Sequence, residues 1–597
     1  MNTICSANPC PIILSSSCVF YEGPNLVCTG IITNETLSSV IQKLSTAICA
    51  ISVGSGILQV TATSPITSSG GKSPNISTSM STNKLIGRAT TGVGIMEEIS
   101  LGTGLSFTGS TLNVYPIPFE YNINGSGIQP ALGGNIASGG YSSIGGGYQN
   151  TASCDNSNIG GGRGNLASCY FSTISGGDYN ISSNNVSTIG GGYFNIASGA
   201  ASIIGGGQYN CAIGSFSSIT GGLCNSAASC SSIIGGGYKN TISCGFANVI
   251  GGGYKNCSSD ATSTVGGGYG NNSSGYMSTI AGGKCNIAGA SLSSIGGGKG
   301  NVVLGEYSTI GGGQINRIYC KSSTISGGNS NTISDCYGTI GGGLNNITGN
   351  LYATIGGGQV NRAYGINSTI SGGWSNKAYG NSSTVAGGSL NNTCGDCSTI
   401  GGGISNSALN DYASVVGGHN NTASGPYSTI GGGYSNISSC GSSVIGGGRF
   451  NQSTGRYSTI GGGGGNLASA YYSTVGGGYY NKALCFFSTV SGGNNNCAFS
   501  QAAMVGGGKY NTSSGPYSTI GGGKGNTSSG DFSAILGGAY NDTNNCNCAM
   551  IIGTLITADR CNTTFVNNLS IKNIPTSSAG LPSGSIWRSG SAVCIIP

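Results

Sequence analysis

From Ile144 to Ile535 the chain writes one phrase again and again at a spacing of fifteen residues. Each copy opens on an aliphatic residue: Ile144, Ile159, Ile174, Ile189, Ile204, Ile219 and Ile234 follow at that interval, and one extra residue precedes Ile250. The interval then holds through Val265, Ile280 and Ile295 to Val505, Ile520 and Ile535, giving 27 copies. A fixed period kept over such a length marks a repeat architecture in which each unit stacks on its neighbours. Fifteen residues cannot hold a helix pair, and the phrase has no 3.6-residue periodicity, so helical repeats are excluded.

The phrase at 427–436, YSTIGGGYSN, sets the numbering within a copy: Ile430 is position one, Gly432 and Gly433 are three and four, Tyr434 is five and Asn436 is seven. Position one is always Ile or Val, three and four are always Gly, and seven is always Asn. Position nine is mostly Ala or Ser, thirteen often Tyr or Phe, and fourteen usually Ser. Position five takes Tyr148, Arg163, Asp178, Leu223, Lys299, Trp374 and His419, and a site that tolerates all of these faces solvent.

Two short strands per copy fit this pattern. In YSTIGG the alternate Ser and Ile share one face, and so do Asn and Ala at seven and nine. The glycines at three and four make one bend and the residues near ten and eleven the other, since a sharp bend favours a residue without Cβ. Asn at seven supplies a hydrogen bond at the bend and bonds to its equivalents in adjacent copies as a ladder. The expected fold is all-β, a parallel β-solenoid or β-roll of 27 coils. At about 4.8 Å per coil it spans about 130 Å. So thin a coil buries little, and the aromatic row at position thirteen, with Tyr141, Phe171, Tyr427, Tyr457 and Tyr517, is read as further area buried between several chains packed side by side.

The flanks divide the rest. Residues 1–63 read as an N-terminal region in which Leu37, Val40, Ile41, Leu44 and Ile48 lie on one stripe of a short helix capped by Thr33 or Asn34. Residues 64–80 read as a Ser/Pro/Gly linker, 81–128 as a β-rich neck, 129–550 as the solenoid, and 551–597 as a β cap over its open end.

Composition narrows the function. The charge of +6 is spread thinly, with no basic stripe, so no nucleic-acid partner is expected. The start, MNTICSANPCPIILSSSC, has no basic n-region or long apolar run, and no span suits membrane insertion. The expectation is synthesis in a cytoplasm, where the 24 cysteines stay free thiols. Cys154 and Cys169 share a position in adjacent coils, at a spacing a disulfide allows.

Chemistry is sparse. The sole histidine, His419, sits at tolerant position five. Cys394 with Cys397 and Cys546 with Cys548 lack partners at metal-ligand spacing, so no metal or cofactor is expected. Among the acids, Asp396 and Asp411 are one coil apart near a bend, and they read as solvated turn residues rather than a hydrolytic pair. The chain is therefore not expected to be an enzyme.

The repeat YSTIGGGYxN-x-A-S-G resembles, with one more glycine, the head repeats of trimeric YadA-like adhesins, which are left-handed parallel β-rolls packed in threes. The flanks YEGPNLVCTGI, KLIGRATTGVGIMEEISLGTGLS and TTFVNNLSIKNIPTSSAGLPSGSIW resemble those of bacteriophage tail fibre proteins. The resemblance implies a homotrimeric virion fibre, held to other tail or baseplate proteins by its N-terminal region and meeting a polysaccharide or protein receptor on the host surface. Outward Trp374 and Tyr434, and Trp587 with Arg588 in the cap, are the candidate contacts. Rival readings are a bacterial surface adhesin, a purely structural rod and a polysaccharide depolymerase.

Overall fold

The computed structural model describes residues 119–121, 126–570 and 572–596, together with the backbone of short strands nearer the N-terminus. The chain divides into two units, Met1–Pro118 and Phe119–Pro597.

In the first unit the described backbone forms antiparallel pairs. Lys84–Gly87 pairs with Glu97–Ser100, and Leu105–Thr108 with Thr111–Val114. Two expectations change. Ile66–Ser68 pairs antiparallel with Ile76–Thr78, so the Ser/Pro/Gly stretch contains a strand pair. Glu35–Thr36, at the start of the expected helix, is extended and pairs with Phe20–Tyr21. The remaining stripe from Leu37 to Ile48 lies outside the described residues.

The second unit is a parallel β-solenoid. One ladder carries position one of every copy, from Ser143–Ile144 to Ala534–Ile535, each strand in register with the next. A second ladder of 27 strands carries positions eight and nine, from Ile136–Ala137 to Thr527–Ser528. Single bridges link the position-five residues from Tyr148 to Ala539. The first ladder outlasts the period: Ile535 pairs with Ile551 and Ile551 with Phe565, so the coil winds on where the sequence phrase is lost. A separate hairpin, Ile586–Ser589 with Ala592–Ile595, lies beyond it.

The interior is narrow. Ile430, Asn436 and Ala423 are all 0% exposed, and so are their equivalents along nearly the whole ladder. Ser at fourteen is buried as well, and it closes the second bend by donating to the position-eleven carbonyl, as Ser458 does to Gly455 O at 2.6 Å.

Each bend is built on a left-handed residue. All 27 residues at position six and all 27 at thirteen have positive φ, between 50° and 60° where they are not glycine. The conformation turns the N–H back along the stack. Tyr434 N donates forward to Gly448 O at 2.8 Å, and Ser435 N donates backward to His419 O at 2.9 Å. Every coil is thus tied to both neighbours at its corners.

The two invariant glycines differ in cause. At Gly433 φ is 96°, and a Cβ would collide with the Gly448 carbonyl oxygen and Asn436 Nδ2. At Gly432 φ is 146°, which disfavours a side chain, although the space is open.

The sixteen-residue coil takes its extra residue at the second bend. Ile234 pairs with Ile250 and Cys230 bridges Phe246, so the added residue falls at Cys244–Gly245, where Gly245 has φ 84°. Here Asn248 replaces the usual Ser at fourteen. Its longer side chain reaches the displaced carbonyl, with Nδ2 donating to Cys244 O at 2.6 Å.

Candidate functional site

Since the interior holds stacked aliphatic, Ala, Ser and Asn side chains, any binding chemistry must come from outward positions, of which five and thirteen carry columns of rings. Position thirteen carries aromatic rings in 13 of 27 residues from Tyr141 to Phe532. They stack coil on coil: Tyr337 on Tyr352 at 4.8 Å between centroids, Tyr412 on Tyr427 at 4.7 Å, and Tyr457, Tyr472 and Phe487 in series at 5.0 and 5.3 Å. Within the single chain these rings stay exposed, Tyr141 by 77% and Tyr427 by 60%. The burial expected for them is therefore not met inside one chain.

Position five gives a second outward column. Tyr238, Tyr254 and Tyr269 lie ring over ring in consecutive coils, and cations top several rings, as Lys284 does Tyr269 at 5.0 Å. In four successive coils the column reads Arg163, Asp178, Tyr193 and Gln208. Arg163 pairs with Asp178 at 3.2 Å, and Tyr193 meets Tyr209 edge to face at 5.6 Å. Beside them Gly177, Gly192 and Gly207 leave a shallow groove of about 430 Å³ lined also by Asp178, Tyr193 and Gln208. An aromatic face flanked by a carboxylate and an amide can stack on a sugar ring and hydrogen-bond its hydroxyls. Residue-by-residue reading of the sequence passed over this groove. Its signal was the succession of cation, acid, aromatic and amide at fifteen-residue steps.

The sequence-predicted contacts do not meet in one place. Trp374 bridges Gln359 and Ser389 in the position-five column and is exposed. Tyr434 is four coils on, packed against His419 and Phe450 at 5.2 and 5.3 Å. Trp587 and Arg588 lie in the terminal hairpin, Trp587 half-buried opposite Cys594 and Arg588 exposed.

No protein-family model and no curated protein matches the chain. Its chemistry is therefore read from its own side chains.

Asp396 and Asp411 are stacked but engaged as bend caps. Asp411 Oδ1 accepts from Asp396 N at 3.0 Å, and Asp396 Oδ1 accepts from Asn381 N at 2.8 Å. Among the described residues one group of metal-ligand type comes together, Cys320, Asp335 and Cys336, with ligand atoms within 4.8 Å of one another. Both sulfurs are joined in a disulfide, so the expectation of free thiols fails at this pair, and a single carboxylate donor is left. No helix among the described residues is long and apolar enough to cross a membrane.

Proposed function

We propose that the chain is the subunit of a homotrimeric virion fibre of the tail-fibre type, standing off the particle and binding a glycan on the host surface. The observation that carries the assembly is the backbone at position thirteen. A left-handed residue favours glycine, and position six, with the same φ, is Gly in five copies: Gly164, Gly270, Gly300, Gly465 and Gly525. Position thirteen is never Gly and is aromatic in 13 of 27. A large exposed ring kept against the backbone's preference serves a contact outside the coil. A column of rings one coil apart is matched by another rod with the same rise, a parallel copy of this chain.

Host binding draws on the resemblance of the flanks and on the polar and aromatic column at position five, which includes the groove at Asp178, Tyr193 and Gln208. The engagement of Asp396 and Asp411 with backbone N–H groups favours binding over glycan hydrolysis. N-terminal attachment to the tail or baseplate rests on the resemblance alone.

Two measurements on the full-length protein test this. Sedimentation should give three chains, falling to one when Tyr412, Tyr427, Tyr457 and Tyr472 are all changed to Ser; a monomeric parent defeats the assembly. Pre-incubation of candidate host cells with the protein should block virus adsorption, and Tyr193→Ala should weaken the block. Absence of cell binding leaves a purely structural rod, and glycan cleavage makes it a depolymerase.

A further inference from the structure

In a parallel, in-register stack, equal positions of successive coils lie about 4.8 Å apart, inside the Cα window of about 4.4–6.8 Å that a disulfide spans. Cysteines one coil apart at a bend are therefore within the Cα reach of a disulfide. The chain has such pairs near both ends of the solenoid and in its middle. Cys320, at position eleven, is joined to Cys336, at position twelve of the next coil, across a Cα–Cα distance of 4.7 Å. Cys154 and Cys169 both hold position eleven in adjacent coils. Cys546 and Cys561 are fifteen apart where the last turn winds past Ile551, and the residues that follow them are bonded coil to coil, Asn562 N donating to Asn547 O at 2.9 Å.

We propose that these three pairs are covalent staples between successive coils: Cys320–Cys336 is closed, and Cys154–Cys169 and Cys546–Cys561 close by exchange with a small-molecule disulfide. The placement has a physical use. A solenoid opens from its ends, where the terminal coil has one neighbour instead of two. Cys154–Cys169 joins the second coil to the third, counting from Ile128–Pro130, and Cys546–Cys561 ties the last winding to the turn beyond it. The inference holds whatever the fibre binds.

The chemistry balances with one equivalent of oxidised glutathione per staple. A protein thiolate attacks its disulfide and expels one glutathione thiolate, leaving a mixed disulfide. The second cysteine's thiolate attacks the protein sulfur and expels the other. Two electrons pass from the cysteine pair to glutathione disulfide, and the two thiol protons end on two glutathione thiols. Desolvation, with the neighbouring Cys169 second, raises the Cys154 thiol, and its hydrogen bond with Cys561 raises Cys546 first, burial adding to it. The thiolates are scarce at neutral pH, so closure accelerates as pH rises.

The experiment is peptide mapping of the full-length protein, first reduced, then incubated with oxidised glutathione and alkylated in denaturant. The expected result is an intrachain link 154–169, 320–336 and 546–561. Cys440 and Cys485, also at position eleven but three coils apart with no cysteine in the intervening bends, stay alkylated. Limited proteolysis supplies an independent readout: the oxidised protein should lose its terminal coils several-fold more slowly. Cys169→Ser, at a position that elsewhere takes Ser229 and Ser500, should restore the faster rate at the N-terminal end. Stable glutathione adducts at Cys154 and Cys169, links between chains, or equal cleavage of both forms would overturn the proposal.

Discussion

Asn436 is buried beside the glycine bend and uses its whole side chain. Nδ2 donates to Asn421 Oδ1 at 3.1 Å and to the carbonyls of Gly432 and Gly448 at 2.9 Å each, while Oδ1 accepts from Asn451 N at 2.9 Å. Replacing it by Ala strands the Asn451 N–H and the Gly432 carbonyl. The Gly448 carbonyl keeps the Tyr434 N–H, and Asn421 Oδ1 keeps the Asn436 backbone N–H. The buried Asn451 N–H and the part-buried Gly432 carbonyl, left unpaired, cost about 1–3 kcal/mol each, or about 2–6 kcal/mol in all. Coils communicate with their neighbours, so the cost appears as local opening and is read by hydrogen–deuterium exchange over residues 437–460. At about 1.4 kcal/mol per decade, protection of the Asn451 amide should fall by about 30-fold to 20,000-fold. Asn420→Gly is the control, because Asn420 is exposed and left-handed at φ 57° and bonds only outward, Nδ2 to Ser435 Oγ at 3.0 Å. It should change protection by less than about tenfold. If Asn436→Ala exchanges within threefold of the parent, the ladder is not what holds the bend.

The two glycine columns should separate under substitution. Gly433→Ala, strained in φ and blocked by the Gly448 carbonyl, should cost about 2–5 kcal/mol in the same exchange assay, whereas Gly447→Ala, at position three with open space about it, should cost less than about 1 kcal/mol. Val360 is β-branched at φ 60°, and Val360→Gly should stabilise its coil by about 1 kcal/mol, read as slower local exchange. Cys497 is buried, and desolvation pushes its thiol up to about 11 from 9.0. The unfolded chain ionises first, so stability due to this group is present below about pH 9 and is lost as pH rises towards 11; Cys497→Ala should flatten that alkaline loss in denaturant titrations.

The period carried most of this fold. A residue that repeats at fixed spacing in a stack must meet its own copies, so the sequence alone places Ile at one and Asn at seven inside and the mixed residues at five outside. The left-handed corners were hidden because φ near 55° leaves the side chain free, and position six accepts Tyr179, Lys239 and Val360 alike. Gly432 and Gly433 look identical as letters, and what separates them is the carbonyl of a coil fifteen residues on. The helical stripe misled at Glu35–Thr36, where a strand partner fifteen residues upstream outweighs local periodicity. The groove at Asp178, Tyr193 and Gln208 was legible only across copies, since no single copy contains it.

The widened corner at Cys244–Gly245, with its Asn248 brace, bears on how such a chain finds its alignment. Interchangeable rungs offer a folding chain many nearly equivalent neighbours, and a slip of one unit exchanges each contact for a near copy of itself. A single rung of different girth breaks that degeneracy, because the longer amide reaches a carbonyl that is displaced at this step of the stair. The oversized rung acts as a fiducial mark, from which the coils on either side can be counted off.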